Sequence, residues 1–158
     1  MKPSTLHIVL IEPEIPPNTG NIARLCAATG TTLHLVGKLG FSIDDKHLRR
    51  AGLDYWASVT LKLWKDFAEL RRCTPHGRFW LTSKKAQKSH LDATFQSGDY
   101  LVFGKETLGL PEEWLEKEAQ WTLRIPILED KVRSLNLSTA AGIILYEALR
   151  QTGHLSGG

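Results

Sequence analysis

Three widely separated stretches of this chain share one design: an apolar run, a loop rich in Gly, Pro, Asn or Ser, then a helix-like segment. The first is Leu6–Ile11 followed by Glu12-Pro-Glu-Ile-Pro-Pro-Asn-Thr-Gly-Asn-Ile-Ala-Arg24. The second is Tyr100–Phe103 followed by Gly104-Lys-Glu-Thr-Leu-Gly-Leu-Pro111. The third runs from Leu123 through Ile125-Pro-Ile127 to Arg133-Ser-Leu-Asn-Leu-Ser138. Short apolar runs alternating with helical segments predict a mostly parallel sheet with helices on both faces, an α/β fold. Open sheets of this kind bind ligands in loops beyond the carboxyl ends of their strands. Three such loops in one short chain predict a single composite pocket.

The rest of the chain fits that frame. Pro13, Pro16 and Pro17 forbid helix through the first loop. Asn18 or Thr19 then caps a helix reaching about Ala28 and closed by Gly30. Leu33–Val36 reads as strand two, and Asp44–Ala51 as a short helix with acid at its start and Arg49 and Arg50 at its end. Val59–Leu63 reads as strand, Trp64–Arg72 as helix, and Phe79–Thr82 and Tyr100–Phe103 as strands. Pro111–Lys117 reads as a helix with Pro first, Leu123–Ile127 as the last strand and Ser138–Gln151 as the last helix. The expected organisation is one domain over residues 1–152, with 153–158 a frayed tail.

At 158 residues, 42% hydrophobic and 23% charged, the chain suits one soluble domain with a real core. A net charge of +3 permits an anionic partner without requiring one. Cys26, among Leu25, Ala27 and Ala28, reads as a buried reduced thiol, and two cysteines suggest no disulfide framework. No signal peptide or long apolar span is present, so a cytoplasmic protein is expected.

Familiar catalytic signatures are missing. Gly104 to Gly109 has Walker-type spacing, but Leu110 stands where the lysine must be. No dinucleotide fingerprint follows a strand. The histidines lie too far apart for a metal site, and there is no nucleophile elbow. These absences weaken kinase, dehydrogenase, metalloenzyme and hydrolase readings. The Gly104 loop suits close backbone approach to a flat ligand, or is an ordinary strand-to-helix turn. Asn21 and Arg24 fall on adjacent turns of one helix face, where Arg24 either clamps a phosphate or forms a surface salt bridge. Ser134, Asn136 and Ser138 precede an apolar helix; capping explains one of them but not all three.

Together the three motifs resemble the SPOUT class of RNA methyltransferases in its SpoU branch. Asn-Thr-Gly-Asn-Ile-Ala-Arg24 looks like the first motif of that branch, Phe103-Gly-Lys-Glu106 with Gly109-Leu-Pro like the second, and Ile125-Pro with Ser134-Leu-Asn-Leu-Ser138 like the third. The resemblance is closer to its TrmL-type tRNA ribose methyltransferases, which act at the wobble position. It spans about Leu6 to Arg150 and includes Glu12-Pro-Glu-Ile-Pro-Pro-Asn18 and Leu48-Arg-Arg-Ala-Gly-Leu-Asp-Tyr55. In one departure, the loop Glu129-Asp-Lys-Val132 looks about one residue longer than usual and lacks a serine beside Arg133.

The resemblance implies a C-terminal deep trefoil knot, although knots are rare, and a homodimer. The stripe Ala141, Ile144, Leu145, Ala148 and Leu149 on the last helix suits a dimer interface or burial within one chain. The resemblance also implies S-adenosylmethionine, with contacts falling at Leu81, Gly104, Ile125, Ser134 and Leu135; the missing ligand spacing leads us to expect no metal. Arg24 is the position such families assign to the reacting hydroxyl; since arginine stays protonated, orientation of ribose and phosphate is the expected role. Asn21, Glu106, Asn136 and Ser138 are expected to shape the same pocket, and Tyr146 to lie near substrate or dimer interface. Arg49, Arg50, Lys84, Lys85, Lys88 and His90 are candidate phosphate contacts, or a solvated charged face. The implied substrate is the first anticodon nucleotide of leucine tRNAs, cytidine or modified uridine, methylated on the ribose 2′-oxygen. Another tRNA or ribosomal ribose, and a non-catalytic RNA-binding module, remain the alternatives.

Overall fold

The computed structural model describes residues 2–46, 48, 50 and 53–156, leaving aside the side chains of Leu53 and Asp54. Seven strands appear among these residues: β1 (His7–Ile11), β2 (Thr32–Val36), β3 (Leu61–Trp64), β4 (Phe79–Thr82), β5 (Lys88–Ser89), β6 (Tyr100–Phe103) and β7 (Thr122–Arg124). They form one sheet in the order β3-β2-β1-β6-β4-β7-β5, and every pairing is parallel. Four α-helices lie wholly among these residues: α1 (Pro16–Thr29), α2 (Phe67–Cys73), α3 (Glu112–Lys117) and α4 (Leu137–Gln151).

The central strands are mostly apolar, with His34 of β2 the buried polar exception, because both their faces are covered, as parallel sheets require. In β1, Ile8 and Leu10 join a core shared with Ile22, Ala23 and Cys26 of α1 and with Ile144, Leu145 and Ala148 of α4. Val9 and Ile11 point the other way, into a core completed by Leu70 of α2 and flanked by Trp114 and Leu115 of α3. The result is three layers, helix–sheet–helix.

Several elements differ from the sequence expectation. The prolines do not exclude helix: α1 begins at Pro16, with proline in its first two positions and Ile15 as an N-cap without a side-chain bond. A missing N–H costs nothing in a first turn, where it would lack an intrahelical partner. Asn18 and Thr19 are therefore buried inside the helix, not capping it. Gly30 does close it, at φ 72°. Pro111 is the N-cap of α3 rather than its first residue. The last strand stops at Arg124, because Pro126 cannot donate to a ladder. Two-residue β5 was not legible at all. Of the helix expected over 44–51, the described residues Lys46, Leu48 and Arg50 are helical and Leu48 is buried. The tail is tied as far as Ser156: His154 N–H donates to Leu149 O (3.0 Å) and the Ser156 hydroxyl to Gly153 O (3.1 Å). The thiol of Cys26 is buried, and burial pushes it up to about 12.

Candidate active site

Sheet order makes the site. β1, β6, β4 and β7 are neighbours, so the loops at their carboxyl ends meet although their sequences are far apart. A cavity of about 390 Å³ opens among the β4, β6 and β7 loops and the first turns of α4. Leu110, Leu123, Ile125, Leu137, Ala140 and Ile144 supply apolar wall, while Ser83, Glu106, Thr107 and Ser134 supply polar groups. Lys84 and Lys85 stand at its rim.

Gly104 begins the β6 loop and is crowded by the loop's own return. A Cβ there would lie 2.2 Å from the carbonyl carbon of Gly109 and 2.3 Å from the Leu110 nitrogen. The loop closes through Gly109 N–H to Lys105 O (2.9 Å), and Gly109 takes a left-handed φ of 71°. The approach that demands glycine is thus chain against chain, which shapes the cavity wall before any ligand is considered.

A hydrogen-bond path joins all three motifs. The Glu106 carboxylate accepts from the backbone N–H groups of Glu14 (2.8 Å) and Ile15 (2.9 Å) and from Asn18 Nδ2 (3.2 Å). It therefore does for the start of α1 what a local capping side chain would do. Asn18 Oδ1 accepts from Asn136 Nδ2 (3.1 Å), and Asn136 Oδ1 accepts from the Ser138 N–H (2.9 Å) and hydroxyl (2.6 Å). Asn136 is the N-cap of α4. A second tie runs from the Thr107 N–H and hydroxyl to Glu14 (3.1 and 2.7 Å), which hold that carboxyl below its ordinary range. Lys105 pairs with Glu12 at 3.2 Å, where the chain leaves β1 with a left-handed φ of 48°. Asn18, Glu14 and Thr107 were missed as site residues. Their one sequence signal is membership of the quoted motifs; the pairing spans about ninety residues and has no local signature.

The expected residues separate into groups. Gly104, Ile125, Ser134, Leu135 and Glu106 line the cavity together. Leu81 is buried one residue before the wall residue Thr82. Asn136 and Ser138 belong to the hydrogen-bond path behind it. Asn21 and Arg24 stand on the exposed face of α1, outside the cavity, with the Arg24 guanidinium 5.2 Å from the ring centre of Tyr55. Tyr146 is exposed on α4. Of the phosphate candidates, Arg50 and Lys84 are exposed; Lys85 pairs with Glu112, and Lys88 lies near Gln120 O (3.5 Å) and over Trp80. His90 is 5% exposed, so it cannot meet a phosphate; it turns inward in a 3-10 turn capped by Ser89. Arg49 lies outside the described residues. The apolar stripe of α4 is spent within the chain: Ile144 and Leu145 are 1% and 0% exposed. Among the described residues no helix is long and apolar enough to cross a membrane, and no group of three His, Cys, Asp or Glu side chains is placed to hold a metal ion.

The SpoU rRNA Methylase family matches residues 5–146. A relative from Saccharophagus degradans named tRNA (cytidine(34)-2'-O)-methyltransferase is 54% identical over 151 residues, 93% of this chain and 96% of its own. A solved structure described as giving insights into 2-OH methylation of C/U34 on tRNA superposes with a TM-score of 0.88 at 48% identity, covering 92% of this chain and 95% of that one. The SpoU methyltransferase AviRb from Streptomyces viridochromogenes, solved with AdoMet (S-adenosylmethionine), gives 0.82 at 26% identity over 99% of this chain and 63% of that one. The cavity fits such a group. Its volume is in the range of small-molecule sites, and an apolar pocket with a few placed polar groups suits a flat base joined to a ribose. By its motifs, its sheet and its matched length, the chain belongs to the SpoU methylase family.

Proposed function

We propose that this protein transfers a methyl group from S-adenosylmethionine to the ribose 2′-oxygen of the wobble nucleotide of leucine tRNAs, cytidine or modified uridine. The observation that carries the reading is the cavity, walled by loops of the second and third motifs and bonded through Asn18 to the first. The near full-length likeness to a relative named for cytidine-34 2'-O-methylation supports the substrate.

When bound, the cofactor supplies a methyl that is already electrophilic. What the chain must add is position, and fixing two reactants in line is worth about 7–11 kcal/mol at best. Gly104, Ile125, Ser134 and Leu135 would hold the adenosine part, with Leu81 packed behind the wall. Arg24 and Asn21 would orient the ribose and its phosphate. A guanidinium stays protonated at neutral pH, so Arg24 would donate to the 2′-oxygen and orient it rather than remove its proton, which would pass to water as the oxygen–methyl bond forms. Glu106, Asn136 and Ser138 would set the loops that place both substrates. Arg50, Lys84, Lys85 and Lys88, with Arg49, would meet phosphates, so binding should weaken with salt.

A homodimer belongs to this reading. Asn21 and Arg24 face solvent outside their own chain's cavity, which a second copy would remedy, and Ile15, Ile143 and Tyr146 expose apolar surface on or beside α1 and α4. A trefoil knot formed by the β6 and β7 loops and α4 also belongs to it, supported by the likeness to solved SpoU proteins; tracing residues 104–151 in a crystal structure tests it. A tRNA substrate goes with cytoplasmic residence.

The decisive experiment incubates the protein with labelled S-adenosylmethionine and tRNA from cells lacking it, then maps the product by nuclease digestion and mass spectrometry. Label on the 2′-oxygen of the first anticodon nucleotide of leucine tRNAs is expected. Label on a base, or on a ribose outside the anticodon, overturns the substrate assignment.

A further inference from the structure

Of the segment Leu48-Arg-Arg-Ala-Gly-Leu-Asp-Tyr55, the described side chains of Leu48, Arg50 and Tyr55 have no place in the cavity or in the hydrogen-bond path. Its end, the 3-10 turn Leu53–Ser58, packs against α1. Tyr55 lies there partly exposed, and the guanidinium carbon of Arg24 sits 5.2 Å from the centre of its ring. Among the described residues no carboxylate pairs with Arg24. A long exposed arginine without an ion pair samples many rotamers. A ring under one face of the guanidinium restricts that freedom without using any of its N–H donors. An aspartate or glutamate in the same place would hold the side chain as well but would occupy the donors and cancel the charge.

We propose that Tyr55 is a positioning residue for Arg24: a shelf that fixes the guanidinium plane and leaves its donor edge open to the ribose and phosphate of the substrate. This rests on the reading of Arg24 as the group that orients the reacting ribose. The ring is what matters, since the contact made is with its face and no hydrogen bond of the phenol is needed.

The test compares Tyr55→Phe, Tyr55→Leu and Arg24→Ala in methyl transfer to tRNA from cells lacking the protein. Thermal melting and calorimetry with S-adenosylmethionine accompany each rate. Tyr55→Leu should lower kcat/KM for tRNA about five-fold, the rate equivalent of one exposed cation–π contact. Cofactor affinity and melting temperature should stay near those of the parent protein, and Tyr55→Phe should restore most of the rate. In the Arg24→Ala background the same Tyr55→Leu change should alter tRNA affinity no further. A pure packing role for Tyr55 would lower melting temperature and cofactor affinity together, which overturns the proposal. Full activity of Tyr55→Leu beside an inactive Arg24→Ala overturns it while leaving the Arg24 reading intact. Full activity of Arg24→Ala removes that reading itself.

Discussion

Gly104 and Glu106 show what single residues do here and how much of it can be read from sequence. Both were singled out in the sequence, where a glycine and an acid follow an apolar run in a recognisable string, and both line the cavity. Their physical roles were not legible, since each depends on a partner that only the fold brings near. Gly104→Ala puts a methyl 2.2 Å from the Gly109 carbonyl carbon, and backbone there cannot swing aside as a side chain end could. The expected result is a loss of about 1–3 kcal/mol in stability and a larger loss of cofactor affinity, because the wall moves. Calorimetry and urea unfolding of the same variant check both; parent-like affinity would mean the loop re-forms around the methyl. Glu106 presents a different case. Its carboxylate takes two backbone N–H groups and the Asn18 amide, so Glu106→Ala leaves three donors without their acceptor. Stability should fall by about 2–3 kcal/mol, with Glu106→Gln losing less because one oxygen remains. A Glu106→Ala urea midpoint equal to that of the parent protein would show that the capping contacts contribute nothing. Asn18, which sequence suggested as a local cap, instead spends both ends of its amide on residues about ninety and about one hundred and twenty positions away.

At the scale of elements, the central strands were the most legible because burial on both faces leaves a mostly apolar string, as in Ile8–Ile11 and Tyr100–Phe103. The edges were the least. β3 has exposed Lys62 and Leu63 and begins two residues later than expected, and β5 carries two residues held by one neighbour. One polar chain crosses three strands and has a consequence for pH. Trp64 Nε1 donates to His34 Nδ1 at 2.9 Å. An indole N–H only donates, so His34 carries its proton on Nε2 and gives it to His7 Nδ1, also at 2.9 Å. A second proton on either ring would break a bond in this line. Burial first, then the Lys62 charge, pushes His7 down to about 4; burial first, then His7 and Lys62, pushes His34 down to about 3. Both folded values lie below the unfolded one of about 6.5. The unfolded chain therefore binds more protons over that interval, and stability rises with pH across it. The contribution is fully present above about 6.5 and is lost as pH falls through about 4 to about 3. Urea midpoints should begin to decline between pH 6.5 and 5, above most carboxylate titration. A level midpoint over that range in the parent protein, or an unchanged decline after His34→Phe, would sink the argument.

For the whole molecule, the sequence left open how α4 is used, and the fold decides it. Its stripe of Ala141, Ile144, Leu145, Ala148 and Leu149 serves equally for a partner or for the chain's own core, because helical periodicity records an apolar face and not what covers it. The fold covers it with the sheet and α1. Surface left for a second copy is the other face, where Ile143 and Tyr146 are 36% and 45% exposed. The two faces separate folding from assembly by mutation. Leu145→Glu places a charge in a closed apolar core and should cost about 4 kcal/mol or more, so the chain unfolds. Ile143→Glu with Tyr146→Glu changes only exposed positions of the same helix. That variant should keep the parent far-ultraviolet spectrum and melt cooperatively, yet sediment as a monomer where the parent sediments as a dimer. It should also lose methyl transfer, because the cavity of one copy would no longer meet Asn21 and Arg24 of the other. Mixing it with an excess of Arg24→Ala protein should not restore activity if the shared face is required in both copies. A parent that sediments as a monomer at full activity would end the dimer proposal, and a monomeric double variant with full activity would show that one chain completes the site alone.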